Sequence, residues 1–370
     1  MLKIESIELH HLSIPFVNPF KFASGTKLTH SCILIAVKSN GLTGWGECPA
    51  FEEPYYTCET LTTANYILTN FLIPSLLGKN LNSPQDVLLY FSKVRGHPMA
   101  KAALECAVWD LFAQTQAIPL SQMFSGIRER VPVGVTVSLE KDIPRLVAQV
   151  DQFVAQGYNR IKLKIIPGWE VKPLQAIRER YPEIMLMVDA NSSFNLQHLP
   201  LFKELDQFNL LMIEQPLTVD DFWEHSLLQA QLKTPLCLDE SIESPSDVAT
   251  AIALKSCQII NLKVSRVGGI TNTLTIHQLC TEVGIKMWCG GMLESGVGRA
   301  INLHLATLPN FTLPGDISAT ERYFAEDITD PYFYLNQEDS TITVPTLPGI
   351  GVQVQKDRLH KFRTAYQCYS

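Results

Sequence analysis

The chain has 370 residues, 46% of them apolar and 18% charged, enough for about two domains, or a barrel with an extra unit, and too apolar for extensive disorder. Its formal charge of −7 argues against a nucleic-acid partner, which needs clustered lysine and arginine. It does not argue against a small anionic substrate, because local charge decides that.

The start, Met1-Leu2-Lys3-Ile4-Glu5, alternates like a strand and has no apolar signal segment. No apolar run is long enough to span a bilayer, so no membrane partner and a cytoplasmic location are expected. An apolar run at 32–37, the turn Ser39-Asn40-Gly41 and the return segment Gly44-Trp45-Gly46-Glu47 predict a hairpin set over residues 1 to about 50. Residues 60–77 have helical spacing, and 99–114 form a stronger helix. Beyond about residue 130, short apolar runs at 131–137, 160–165, 185–188, 210–213, 236–238, 259–264, 285–289 and 311–313 alternate with helical stretches. The nine cysteines include no Cys-x-x-Cys pair, so scattered reduced thiols are expected, with neither a disulfide frame nor a zinc site.

The spacing is regular. Lys164 to Asp189, Asp189 to Glu214 and Glu214 to Asp239 are each 25 residues, and Asp239 to Lys263 is 24. A strand–helix unit of this size in series makes parallel strands with crossover helices, and eight of them predict a (β/α) barrel. The expected organisation is an α/β fold. An N-terminal α+β capping domain (1–128) precedes a modified (β/α)8 TIM-type barrel (129–324), and a C-terminal segment (325–370) packs back on one or both.

Active sites of such barrels lie at the C-terminal strand ends, where the period places Lys162, Lys164, Asp189, Glu214, Asp239 and Lys263. Three converging carboxylates repel one another unless a cation joins them. An all-oxygen set suits Mg²⁺ or Mn²⁺ better than Zn²⁺. Lys164 and Lys263 fall on the second and sixth strands, opposite in a ring of eight. A substrate carboxylate held by the cation would place its α-carbon between two amines. Metal charge, mutual repulsion and burial would lower a lysine's pKa toward a neutral general base. Singly, Asp189 or Asp239 reads equally well as a helix N-cap, Glu214 as an arginine partner and Lys162 as a structural ion-pair partner. The ordered set is much harder to produce by capping. A non-catalytic binding barrel is the alternative of another class.

At these residues the chain resembles the enolase superfamily, in its muconate-lactonizing-enzyme-like subgroup. Within that subgroup it is similar to the o-succinylbenzoate synthase and N-acylamino acid (N-succinylamino acid) racemase family. The likeness runs through Gly44-Trp45-Gly46-Glu47-Cys48, Ala102-Ala103-Leu104-Glu105, Ile213-Glu214-Gln215-Pro216 and Leu238-Asp239-Glu240-Ser241. It continues through Lys263-Val264-Ser265-Arg266-Val267-Gly268-Gly269 and Gly291-Met292-Leu293-Glu294-Ser295. The resemblance implies Asp189, Glu214 and Asp239 as metal ligands, Lys164 and Lys263 as catalytic residues, and Lys162 as electrostatic support. Ser138, Asn191, Gly291, Met292 and Glu294 would bind substrate, and residues 19–27 and 51–56 would wall the pocket. The implied activity is a hydro-lyase reaction. It is syn-dehydration of 2-succinyl-6-hydroxy-2,4-cyclohexadiene-1-carboxylate through an enediolate in menaquinone biosynthesis, with N-succinylamino acid racemisation as the alternative at the same two lysines. A homo-oligomer is compatible with the resemblance. Mandelate-racemase-like enzymes need a His base where this chain has Cys289-Gly290-Gly291, and dipeptide epimerases carry Asp-x-Asp where it has Asp316-Ile317-Ser318, which disfavours both. Backbone N–H groups of Gly290-Gly291-Met292 could hold a remote succinyl carboxylate.

Overall fold

A computed structural model describes residues 1–22 and 25–370. After a short strand at Leu2–Lys3 come three antiparallel strands, β1 (Ser6–Phe22), β2 (Gly25–Ser39) and β3 (Leu42–Cys48). Of residues 19–27, expected as a loop, 19–22 belong to β1 and 25–27 to β2, and Ala23 and Ser24 lie outside the described residues. The unbroken apolar run in β2 exists because both faces of this sheet are covered. Ile33, Ile35 and Val37 join a core with Leu9 and with Ala100, Leu104 and Leu111 of helix α1 (Pro98–Thr115), whereas Cys32 and Leu34 join the core shared with the barrel. Helix and sheet meet so closely that a Cβ on Gly44 would lie 2.1 Å from Ala107 O, and one on Gly46 2.0 Å from Ala103 O. That approach explains the Gly-Trp-Gly spacing.

Seven parallel strands follow in chain order: β4 (Val135–Val137), β5 (Arg160–Lys164), β6 (Met185–Asp189), β7 (Ile213–Glu214), β8 (Leu236–Leu238), β9 (Ile259–Leu262) and β10 (Lys286–Cys289). Helices α2 (Ile143–Ala155), α3 (Val171–Arg180), α4 (Leu199–Leu205), α5 (Phe222–Gln229), α6 (Pro245–Leu254), α7 (Ile270–Val283) and α8 (Gly296–Leu305) alternate with them.

Two expected strands are corrected. The run 131–137 divides at Gly134: Arg130–Pro132 pairs antiparallel with Thr341–Thr343, and only Val135–Val137 enters the barrel. A Cβ at Gly134 would lie 2.1 Å from Nε of the buried Arg160. The eighth position is held by no regular strand. Residues 311–316 make single parallel bridges, Phe311 to Met287 and Gly315 to Val133, and Pro314 has no N–H to continue a ladder. The bridges nonetheless link β10 to the residues preceding β4 and close the ring.

Buried acids join the sheet domain to the barrel. Glu105 accepts N–H bonds from Ile270 (2.7 Å) and Thr271 (2.8 Å) at the start of α7. Glu47 accepts from Ser295 N (3.0 Å), Ser295 Oγ (2.6 Å) and Gly298 N (3.0 Å) at the start of α8. Each carboxylate meets unpaired N–H groups and the positive end of a helix dipole. The C-terminal strand β11 (Arg363–Tyr369) pairs antiparallel with β1.

Candidate active site

The ladder register explains the period. Lys164 pairs with Asp189 and Asp189 with Glu214, so these three stand at one level on adjacent strands. Glu214 then pairs with Cys237, and Leu238 with Ile260. Asp239 and Lys263 are therefore each displaced two residues along the ladder, a step that keeps side chains on the inner face. The barrel floor beneath is Met187, Met212, Cys237, Ile259 and Trp288.

The structure brings all six sequence-derived ionisable residues to this mouth. Lys162 Nζ lies 3.0 Å from Glu214 Oε2, 3.2 Å from Asp189 Oδ2 and 2.6 Å from Asp316 Oδ2, above the Trp288 ring. Lys164 Nζ donates to Asp189 Oδ2 at 2.7 Å and to Asn191 Oδ1 at 2.5 Å. Lys263 Nζ donates to Asp239 Oδ2 at 2.8 Å and to the Tyr56 hydroxyl at 2.6 Å. Strands β6, β7 and β8 stand between the strand ends that carry Lys164 and Lys263.

Burial and charge set the protonation of these groups. Burial and repulsion from Asp189 push the Glu214 carboxyl up to about 8. Burial and Asp239 push Glu240 up to about 7. Burial also opposes ionisation of Asp239 and Asp189, but Arg266 and Lys263 hold the first well below the carboxylate range, and Lys164 and Lys162 lower the second. Burial pulls Lys263 down, but Asp239 and Tyr56 hold it above the ordinary lysine value.

The residues sit in a cavity of about 330 Å³, within the usual range for a small-molecule site. Ser138, Asn191, Gly291 and Met292 line it, together with Phe51 and Tyr56 of the N-terminal domain. Glu294, expected to contact substrate, does not line it. Its Oε2 accepts the Met292 N–H at 2.8 Å and its Oε1 accepts Asn302 Nδ2 at 2.9 Å, so it braces the loop from behind. The N–H groups of the 290–292 loop are also largely committed, Gly290 to Leu262 O and Met292 to Glu294.

Sequence reasoning expected Tyr56 only as part of the pocket wall and assigned no individual role to Arg266 or Gln215. The Tyr56 hydroxyl accepts from Lys263 and from Arg266 Nη1 (2.8 Å) and donates to Asp239 (3.4 Å). Arg266 is fully buried and pairs with Asp239. Gln215 Oε1 accepts the Asp239 N–H at 2.9 Å, and Gln215 Nε2 donates to Ser241 Oγ at 2.7 Å, so two of the recognised motifs lock together. Asn191 (φ 40°), Ser192 (φ 61°), Gln215 (φ 38°) and Leu293 (φ 65°) have left-handed backbones, strain that concentrates where strands end at the site.

The donor set fits a hard divalent cation. The carboxylates of Asp189, Glu214 and Asp239 are buried, and Asn261 Oδ1 and Glu240 Oε2 are buried oxygens with no hydrogen-bond donor. Each of the three carboxylates is turned onto a side-chain cation. Among the described residues, the trio whose ligand atoms all lie within 4.8 Å of one another is a different one, His30, Cys32 and Glu47. There Glu47 is already occupied as the cap of α8, with His30 Nε2 2.8 Å from it. No described helix is long and apolar enough to cross a membrane.

Fold and site together define an enzyme of the enolase superfamily. The model of the mandelate racemase/muconate lactonizing enzyme N-terminal domain matches residues 6–125, that of the enolase C-terminal domain-like family matches 145–358, and the chain belongs to this family. An o-succinylbenzoate synthase of Bacillus subtilis is 45% identical over 100% of the chain and 99% of that protein. An N-succinylamino acid racemase of Amycolatopsis sp. is 41% identical over 98% of each. The crystal structure of an enolase-superfamily member from Listeria innocua superposes with a TM-score of 0.96 at 42% identity, covering 100% of this chain and 99% of that one.

Proposed function

We infer that the chain is an o-succinylbenzoate synthase, dehydrating 2-succinyl-6-hydroxy-2,4-cyclohexadiene-1-carboxylate in menaquinone biosynthesis. The observation that carries this reading is that Lys164 and Lys263 line one cavity from strand ends separated by three strands, with buried carboxylates on the strands between them. Full-length similarity to synthases at 44–46% identity supports it. Asp189, Glu214 and Asp239 would hold Mg²⁺ or Mn²⁺. Such an ion supplies positive charge where negative charge builds on the substrate carboxylate.

In this reading Lys164 takes the proton from the carbon beside that carboxylate. It then returns a proton to the departing hydroxyl on the same face, so that water leaves. Lys263, on the other wall, acts as a cation facing the developing dianion. Lys162 sets the charge around Asp189 and Glu214, and Asn191 orients Lys164 through the 2.5 Å hydrogen bond. Similarity to N-succinylamino acid racemases supports a second activity, in which one lysine removes the α-proton and the other delivers a proton to the opposite face.

A side-by-side measurement of kcat/KM for the dehydration and for racemisation of N-succinylamino acids tests the reading. Dehydration is expected to be the more efficient reaction, to vanish on chelation and to return with Mg²⁺ or Mn²⁺. No turnover of the cyclohexadiene with either metal would contradict it.

A further inference from the structure

Four cationic side chains line the central cavity: Lys162, Lys164, Lys263 and Arg322. The three lysines are all ion-paired to the carboxylates of the proposed metal site. Among the described residues, Arg322 has no carboxylate partner within ion-pair distance. Its Nη2 donates to Thr136 O at 2.9 Å, and its guanidinium lies 5.0 Å from the Phe153 ring and 5.7 Å from the Tyr323 ring. Its Nη1 is buried and has no hydrogen-bond partner. A buried guanidinium nitrogen without an acceptor carries a desolvation cost that an anion removes.

The position is also informative. Thr136 is on β4, four places around the ring of eight from β8, whose end carries Asp239. Arg322 and Thr136 therefore stand across the mouth from that carboxylate. Arg322, Tyr323, Phe20, Thr136 and Ser138 border both the central cavity and an adjoining polar groove. A substrate with one carboxylate at the lysine pair and a second on a short flexible arm would bring the second to this partition. The 290–292 loop competes poorly for it, because two of its three N–H groups are already committed.

We propose that Arg322 is the specificity residue of this site, binding the distal carboxylate of a dicarboxylate ligand through its unpartnered Nη1. This rests on the functional reading above, since it takes a succinyl arm as the group recognised. The test is calorimetric, in Mg²⁺, with o-succinylbenzoate and with 2-butanoylbenzoate, which has the same arm ending in methyl. The unchanged protein is expected to favour the dicarboxylate by about 10- to 100-fold. Arg322→Gln should weaken o-succinylbenzoate by that factor and leave 2-butanoylbenzoate within about threefold. Arg322→Lys, which keeps the charge but loses the fork, should retain part of the preference. Equal weakening of both ligands by Arg322→Gln would mark a structural role and overturn the proposal, as would unchanged o-succinylbenzoate affinity. If the unchanged protein binds neither ligand, the functional reading fails and the proposal with it.

Discussion

Gly290 shows how tightly the reacting groups are held. Its neighbour across the ladder is Lys263, and a Cβ there would lie 2.2 Å from Asn261 Oδ1 and 2.8 Å from Lys263 Cε. Gly290→Ala is expected to cost roughly 100-fold in kcat by displacing Lys263, with the circular-dichroism spectrum unchanged; full activity would mean that the position of Lys263 is not critical. Asp189 and Glu214 were legible in the sequence because direct register turns a 25-residue period into a row of side chains. Tyr56 was legible only as a pocket wall; its hydrogen bond to Lys263 was not, since it comes from an irregular segment of the other domain, where no period applies. Arg266 stood inside a recognised motif, but nothing in a glycine-rich stretch marks an arginine as fully buried. That Glu294 turns back onto Met292 and Asn302 was not legible, because a carboxylate turned back into its own loop has the same sequence as one turned toward substrate.

Helix ends are where buried acids accumulate, and their titration is visible in stability. Glu59 accepts the Met99 and Ala100 N–H groups at the start of α1 at 2.8 and 2.9 Å, yet burial pushes its carboxyl from 4.5 up to about 7. A raised native value means stability that is complete below the unfolded pKa and is lost as pH rises through the native one. Between about pH 4.5 and 8, Glu59→Gln is therefore expected to gain roughly 2–3 kcal/mol relative to the unchanged protein in urea unfolding. A pH-independent difference would refute this. Glu105→Ala removes the acceptor of the Ile270, Thr271 and Trp109 N–H groups, and a loss of about 3 kcal/mol or more is expected in the same assay; a loss below about 1 kcal/mol would show the contact to be dispensable. Helix periods were legible to within a few residues, as for 99–114 against Pro98–Thr115. Strand bounds were less so. The break at Gly134 is made by the guanidinium of Arg160, distant in sequence, and the irregular eighth position follows from Pro314.

At the scale of the molecule, the N-terminal domain both covers the cavity and grips the barrel that forms it. Phe51 and Tyr56 wall the pocket, while Glu105 and Glu47 hold the starts of α7 and α8, the helices that follow the Lys263 and Gly290 strands. The change of pattern near residue 130 made two kinds of architecture legible. The closure of the ring was not, because single bridges leave no run of alternating residues. The proposed function stands on Lys164 moving the proton. The most direct test is kcat/KM for o-succinylbenzoate formation by Lys164→Ala in saturating Mg²⁺. A loss of about 1,000-fold or more is expected, with substrate still bound. Activity within tenfold of the unchanged enzyme would contradict it.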